Sequence, residues 1–382
     1  MKAIALPEVA KIVMGQSPPS SSYNTKGEGL PFFQGKADFG ELYPTVRVFC
    51  TEPNKVAEAE DILISVRAPV GPTNISPTKC CIGRGLAAIR CSQAVELKYL
   101  LYFLRFHEPD LVRMGSGSTF DAISRDDLEN IRVPLLPLPE QQRIAAILAK
   151  ADRLRRLRHT ARELGDTYLQ SVFVEMFGDP VKNPKGWETL DFGKVLSIIS
   201  GHGFKKDEYS NNGVRLFQIA NVGFQETLWD TLAYLPLDCI KRYPKLVLKP
   251  GDLLMALNRP ILGNRVKFTI LKEEDCPAIL YQRVGKFVIK SNRLHRDYLY
   301  GFMLTDYFYR ELKVRLAGSD QPYINPTELV KMRFMLPPLT LQQQFAAVVH
   351  QFERLRARQR EAERQAEHLF QTLLHRAFRG EL

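Results

Sequence analysis

The chain has 382 residues, of which 45% are hydrophobic and 25% charged, which excludes wholesale disorder and collagen-like structure. At roughly 150 residues per domain it holds about two domains, each large enough to bury a core without staples. Lys and Arg number 53 against 42 Asp and Glu, a formal charge of +11 that suits a polyanionic partner, of which nucleic acid is the commonest.

The first half, about residues 1–135, mixes short strand-like runs with turns. It opens on MKAIALPEVAKIVMG, where Pro7, Glu8 and Lys11 interrupt what a signal peptide would keep apolar. Strands are expected from Ile62 to Val66 and from Leu86 to Ile89, and a helix over Leu97–Phe106. Between them lie loops dense in Gly, Pro and Ser: GQSPPSSSYNTKGEG (15–29), RAPVGPTNISPTK (67–79) and GSGSTF (115–120). A long amphipathic helix follows, opening at Pro139-Glu140 and stopping at Gly178-Asp179-Pro180. Its apolar stripe runs through Ile144, Ile147, Leu148, Ala151, Leu154, Leu157, Ala161, Leu164, Tyr168 and Val172, with Arg153, Arg155, Arg156, Arg158 and Arg162 on the other faces.

The second half, about 185–335, repeats the mixture, with the loops GHGFKKDEYSNNG (201–213), NRPILGN (258–264) and AGSDQPYIN (317–325). HRDYLYGFMLTDYFYRELK (295–313) reads as one amphipathic helix. A second long helix starts at Thr340 as N-cap, with Gln343 completing a capping-box pattern. It carries Phe345, Val348, Val349, Phe352, Leu355, Ala362, Leu369, Leu373 and Phe378 and stops at Gly380. Its arginine- and glutamate-rich middle is too polar for a core helix.

The two halves match at a constant offset of 201: Gly117-Ser118 with Gly318-Ser319, Ile123 with Ile324, Gln141-Gln142 with Gln342-Gln343, and Arg153-Leu154-Arg155 with Arg354-Leu355-Arg356. Upstream, Asp61-Ile62-Leu63-Ile64 parallels Asp252-Leu253-Leu254-Met255 at an offset of 191. The chain is therefore two copies of one unit, each a variable lobe with a helical tail. Tails of about 40 residues would span about 60 Å, and neither can bury its stripe alone. An antiparallel coiled-coil-like pair is expected. The expected fold class is α+β (mixed α/β), divided as lobe 1–138, helix 139–178, lobe 179–338 and helix 339–382.

The loops hold the residue types that meet phosphates and base edges. In the first lobe these are Gln16, Ser20, Ser21, Ser22, Tyr23, Lys26, Gln34, Lys36, Arg67, Arg84, Ser116, Ser118 and Thr119. In the second they are His202, Lys205, Lys206, Gln218, Asn221, Asn258, Arg259, Arg283, Ser319, Gln321 and Tyr323. Chemistry is not motivated. GLPFFQGKA (29–37) misses the phosphate-binding loop, because its first glycine is one place too far upstream and Ala37 cannot ligand a metal. SPPS (17–20) lacks the aromatic that would stack on a flipped base. Asp297, Glu311 and Lys313 fit a loose nuclease spacing without a second acidic cluster. No GxSxG elbow occurs. Six cysteines form no CxxC pair and no zinc spacing, so reduced thiols are expected and no metal.

Several segments carry a resemblance: PLPEQQRIAAIL (137–148), GSGSTFDAISRDDLENIRVP (115–134) and their echoes LAGSDQPYINPTEL (316–329) and LPPLTLQQQFAAVV (336–349). With GQSPPSSSYN (15–24), GLPFFQG (29–35) and RAPVG (67–71), the chain resembles the specificity subunit of type I restriction–modification systems. The resemblance implies two target-recognition domains, each reading half of a split double-stranded DNA site across an unread spacer. It implies paired helices that dock two methyltransferase (modification) subunits, joined by restriction subunits with ATP-dependent translocase and nuclease activity. It implies a cytoplasmic, phage-defence protein with no catalysis and no cofactor of its own. The second copy departs from the pattern where Pro139-Glu140 become Thr340-Leu341. Two alternatives stand beside it: a self-sufficient DNA nuclease or methyltransferase, and a scaffold that binds no DNA.

Overall fold

The computed structural model of the chain describes residues 3–115 and 122–382. The fold divides into two compact units, Met1–Ala161 with Gln359–Leu382, and Arg162–Arg358.

In the first unit, strands β1 (Ala10–Met14), β3 (Ile62–Ser65), β4 (Thr73–Ile75) and β6 (Leu86–Cys91) form an antiparallel sheet ordered β1-β6-β3-β4. β3 is buried throughout, as its unbroken apolar run Ile62-Leu63-Ile64 requires of a central strand. Strands β2 (Leu30–Phe33) and β5 (Cys80–Ile82) run parallel at the centre of a second sheet. Helix α1 (Leu97–Phe106) packs Tyr99, Leu100, Phe103 and Leu104 into the core. The Tyr99 hydroxyl donates to the Pro134 carbonyl at 2.7 Å. Helix α2 (Leu138–Phe177) then begins.

The second unit repeats this plan. Strands β7 (Leu196–Ser200), β9 (Leu253–Ala256), β10 (Phe268–Ile270) and β12 (Val284–Ile289) form a sheet ordered β7-β12-β9-β10. Strands β8 (Val214–Phe217) and β11 (Ala278–Leu280) form the parallel pair. Helix α3 (Arg296–Met303) buries Tyr298, Leu299 and Phe302, and the Tyr298 hydroxyl donates to the Met335 carbonyl at 2.7 Å. A separate helix α4 (Asp306–Val314) follows, then α5 (Leu339–Arg379). The internal repeat is thus a repeat of topology.

A carboxylate at the same place is paired in both copies, buried in the first and half-buried in the second. Asp61 accepts a two-pronged interaction from Arg90 at 2.9 and 2.8 Å, and Asp252 accepts Lys286 Nζ at 2.7 Å. Each carboxylate also accepts a backbone N–H three residues upstream, from Glu58 and Lys249.

Both long helices are continuous, and each unit takes half of each. In the first unit Ile144, Ala145, Leu148 and Ala151 share a core with Phe370, Leu374 and Ala377. Arg155 meets Glu367 at 3.3 Å and His159 meets Glu363 at 3.0 Å, so the helix segments run antiparallel there. In the second unit the rings of Phe173 and Phe177 lie 5.5 and 5.4 Å from that of Phe345, and Tyr168 lies 6.0 Å from Phe352, again antiparallel. Arg155 and Arg156 turn inward onto buried Asp152, which also meets Arg105 at 3.3 Å.

Three expectations are corrected. The segment 295–313 is two helices: Thr305 interrupts it, its hydroxyl donating to the Phe302 carbonyl at 2.7 Å and accepting from the Phe308 N–H as the N-cap of α4. Helix α5 starts at Leu339, because the Leu341 and Gln342 amides bond to the Pro338 carbonyl, so Thr340 lies inside the first turn. The apolar stripes are used toward the helix ends only. Leu154, Leu157, Leu164 and Tyr168 of α2 and Leu355 and Leu369 of α5 are exposed, and α5 buries an arginine, Arg356, beside Gln225 and Glu353.

The six cysteines are free, and four are buried. Burial pushes the thiols of Cys80 and Cys276 up to about 11 and those of Cys81 and Cys91 up to about 12. At pH 8 their thiolate fraction is then about one in a thousand or less. A maleimide or disulfide reagent at pH 8 is expected to label these four slowly in the native chain, faster as pH rises, and completely in denaturant. Rapid native labelling of Cys80 would contradict this.

Candidate nucleic-acid interface

The residues singled out in the loops fall into a rim that recurs in both units, fixed by the same backbone hydrogen bonds. After β1 the Gln16 N–H donates to the Ile82 carbonyl at 3.1 Å, and after β7 the His202 N–H donates to the Leu280 carbonyl at 3.4 Å. Gln34 follows β2 and Gln218 follows β8. The strands before them are tied by Gly83 N–H to Phe33 O at 2.8 Å and Tyr281 N–H to Phe217 O at 3.1 Å. Val66 N–H bonds to Gly85 O at 2.9 Å, and Leu257 N–H to Arg283 O at 2.8 Å. Arg67 bridges to Ala122 as Asn258 bridges to Tyr323. The rim therefore carries Gln16, Gln34, Arg67 and Arg84 in the first unit. It carries His202, Gln218, Asn258 and Gln282 in the second, with Arg259 and Arg283 beside them.

Two glycines make this convergence possible. A Cβ on Gly15 would lie 2.2 Å from the Gly83 carbonyl oxygen, and one on Gly201 would lie 2.3 Å from both the Leu280 and Tyr281 oxygens. Arg259 and Arg283 are among five non-glycine residues with positive φ in the described structure, at 45° and 67°. Left-handed backbone costs a non-glycine residue about 1–2 kcal/mol, so two such residues on one rim mark it as a place where the chain is held against its preference.

The side chains differ in what they do. Gln16, Gln34, Arg67, Arg84, His202, Arg259 and Arg283 are exposed, as are Ser20, Ser21, Lys26, Lys36, Lys205 and Lys206 on flanking loops. His202 is braced by its ring stacked 5.5 Å from that of Tyr243. Ser319 and Gln321 are exposed on a turn clamped by paired 2.8 Å hydrogen bonds between Ala317 and Tyr323. Tyr23 is half-buried, its hydroxyl donating to the Pro18 carbonyl at 3.0 Å; burial raises its pKa, while the charge of Arg84 acts the other way. Gln218 is half-buried and donates to the Tyr209 hydroxyl at 3.1 Å.

Two residues build loops rather than facing solvent. Ser22 is buried and donates to the Pro19 carbonyl at 2.7 Å. Asn221 is buried, accepting from the Gln218 N–H at 2.8 Å and donating to the Leu228 and Thr231 carbonyls. Ser116, Ser118 and Thr119 lie outside the described residues.

Sequence reasoning missed two groups. Gln282 stands where Arg84 stands in the first unit, a correspondence visible only in the hydrogen-bond register. The other is the buried pair Gln141 and Gln342. Gln141 accepts from the Glu96 N–H at 2.9 Å and donates to the Ala94 and Leu136 carbonyls at 3.1 and 2.8 Å. Gln342 accepts from the His295 N–H at 2.8 Å and donates to the Arg293 and Pro337 carbonyls at 2.9 and 2.8 Å. Each amide ties a long helix to the capping turn of the lobe helix beside it. The matched glutamines of the repeat were the available signal.

Comparison with known proteins fits this duplicated design. A family model described as the type I restriction modification DNA specificity domain matches residues 1–163 and again 184–366. The chain belongs to the specificity subunits of type I restriction–modification systems. The MjaVIII specificity subunit of Methanocaldococcus jannaschii is 35% identical over 296 residues, 74% of this chain and 70% of that protein. The putative MjaX specificity subunit of the same organism is 51% identical over 154 residues, 40% of this chain and 36% of that one. In fold, the crystal structure of the S subunit from M. genitalium matches with a TM-score of 0.61 at 14% identity, covering 98% of this chain and 95% of that one. Specificity subunits are the non-catalytic members of their complexes. Among the described residues no group of three or more His, Cys, Asp or Glu side chains could hold a metal, and no helix is long and apolar enough to cross a membrane.

The glutamine staples and the rim glycines give two expectations. Gln141→Ala or Gln342→Ala leaves buried backbone groups unpaired and should cost about 1–3 kcal/mol of stability in urea unfolding. Gly15→Ala or Gly201→Ala forces backbone apart and should cost a similar ~1–3 kcal/mol. A midpoint within error of the parent for either pair would contradict the assigned roles.

Proposed function

We propose that the chain is the DNA-reading subunit of a type I restriction–modification complex, with each unit reading one half of a bipartite target. One observation carries this. The two units present the same rim, on the same backbone hydrogen bonds, with different side chains. Duplicated geometry gives two readers; unequal side chains give two different half-sites, hence an asymmetric target. The excess of basic residues supplies the attraction to phosphates that positions such a reader.

The reading extends to the helices. Lobes 1–138 and 179–338 act as the target-recognition domains, and helices 139–178 and 339–382 form a coiled-coil-like spacer that fixes the interval between half-sites and leaves the intervening bases unread. Half-sites read from one face of the duplex lie about 34 Å apart, or a multiple of it. The exposed Leu154, Leu157, Leu164 and Leu355 supply apolar contact area on these helices for methyltransferase subunits, one per half-site, with restriction subunits joining the assembly. Methyl transfer, ATP use and cleavage belong to those partners.

The test is a transplant. Residues 1–138 are moved into a related specificity subunit of known target, and modified bases are mapped in cells that also carry the methyltransferase. The expected result is a hybrid target in which one half changes and the other is kept. Change of both halves, or of neither with modification still active, would overturn the modular reading.

A further inference from the structure

We infer that Arg259 and Arg283 are the guanine-reading side chains of the second unit, taking the place that Arg67 and Arg84 hold in the first. The inference rests on the DNA-reading role proposed above and names the residues and the base that role would use.

The register makes the comparison strict. Arg67 and Asn258 occupy the same rim position, each bridged to the residue before Ile123 or Ile324. Those isoleucines donate their N–H groups to Val66 and Leu257 at 3.0 and 2.8 Å. Arg84 and Gln282 likewise correspond, each preceding the residue whose carbonyl accepts from Val66 or Leu257. In the second unit both arginines are therefore displaced by one residue, to Arg259 and Arg283. The first unit has Ala68 and Gly85 at those places.

Arg259 lies at a bend just after the bridge at Asn258, and Arg283 in a tight turn with Gln282, so a shift of one residue changes the direction in which the side chain leaves the backbone. A left-handed residue at the rim of a sheet is the backbone device that re-aims it. Both displaced arginines have that backbone, with φ of 45° and 67°, whereas Ala68 and Gly85 do not. That two arginines both shift and both adopt a conformation unfavourable to arginine points to a demand on where the guanidinium groups go. No ion pair within the unit, among the described residues, makes that demand of the guanidinium groups. Both side chains are exposed, and among the described residues neither has a carboxylate partner; the same holds for Arg67 and Arg84. The Arg259 N–H is held by the Pro322 carbonyl at 2.7 Å and the Arg283 carbonyl by Leu257, so the backbone at both points is pinned while the side chains project free. A planar fork of donors matches the O6 and N7 acceptors of guanine in the major groove, the commonest specific arginine contact.

The test separates shape from recognition. Arg283→Gly removes the fork and leaves a backbone that glycine adopts readily. Arg259→Asn does the same with a residue that tolerates the left-handed region. Both variants are expressed as full chains with the methyltransferase subunit, and modified bases are mapped across the genome. Each should unfold at or above the parent midpoint. Each should lose the requirement for one guanine in one half of the target, relaxing discrimination there about tenfold or more, with the other half unchanged. Three results overturn the inference: an unchanged target, a uniform fall in modification at every site with the target unchanged, which marks a phosphate contact, or a parent half-site containing no guanine. A parent chain whose complex modifies a continuous target removes the proposed role itself, and this inference with it.

Discussion

At the start of each long helix one side-chain amide, wholly buried, makes three hydrogen bonds to backbone groups of its own unit. A helix N-terminus and the cap of a second helix both leave backbone groups without partners. Gln141 and Gln342 satisfy such groups across the joint, so the direction in which a long helix leaves its lobe is set by hydrogen bonds as well as by apolar packing, which tolerates rotation. Apolar contact then reinforces the joint: Ile144 and Leu148 in one unit and Phe345 and Val349 in the other enter the lobe core itself.

This joint explains why so much sequence can vary between the lobes without loss of the plan. The sheets, the tyrosine-to-carbonyl bonds of Tyr99 and Tyr298, and the paired carboxylates Asp61 and Asp252 recur in both copies. The loop residues on the rim do not. The residues that hold the plan and the residues on the rim are different sets, so the rim is free to diverge between the copies, and the two rims of this chain differ in side chains.

Much of this was legible in the sequence. Periodicity gave both long helices, and unbroken apolar runs gave the central strands at Ile62 and Leu86. What escaped were features set by tertiary partners. The hydroxyl of Thr305 breaks a helix that periodicity would continue, because capping competes with propagation. The leucines at 154, 157, 164 and 355 fit a stripe in pattern, yet a stripe says nothing of whether a partner lies opposite. On the rim, residue type alone could not tell exposed Gln34 from Asn221, whose three hydrogen bonds tie down a loop. The pairing of Arg84 with Gln282 emerges only once strand register is known.

The account stands on two rims reading separately. Mapping of modified bases by single-molecule sequencing, in cells carrying this chain with its methyltransferase partner, tests that most directly. The expected target is two short, different runs of specified bases divided by a fixed number of unspecified ones. A short uninterrupted target, or a palindrome with identical halves, would contradict it.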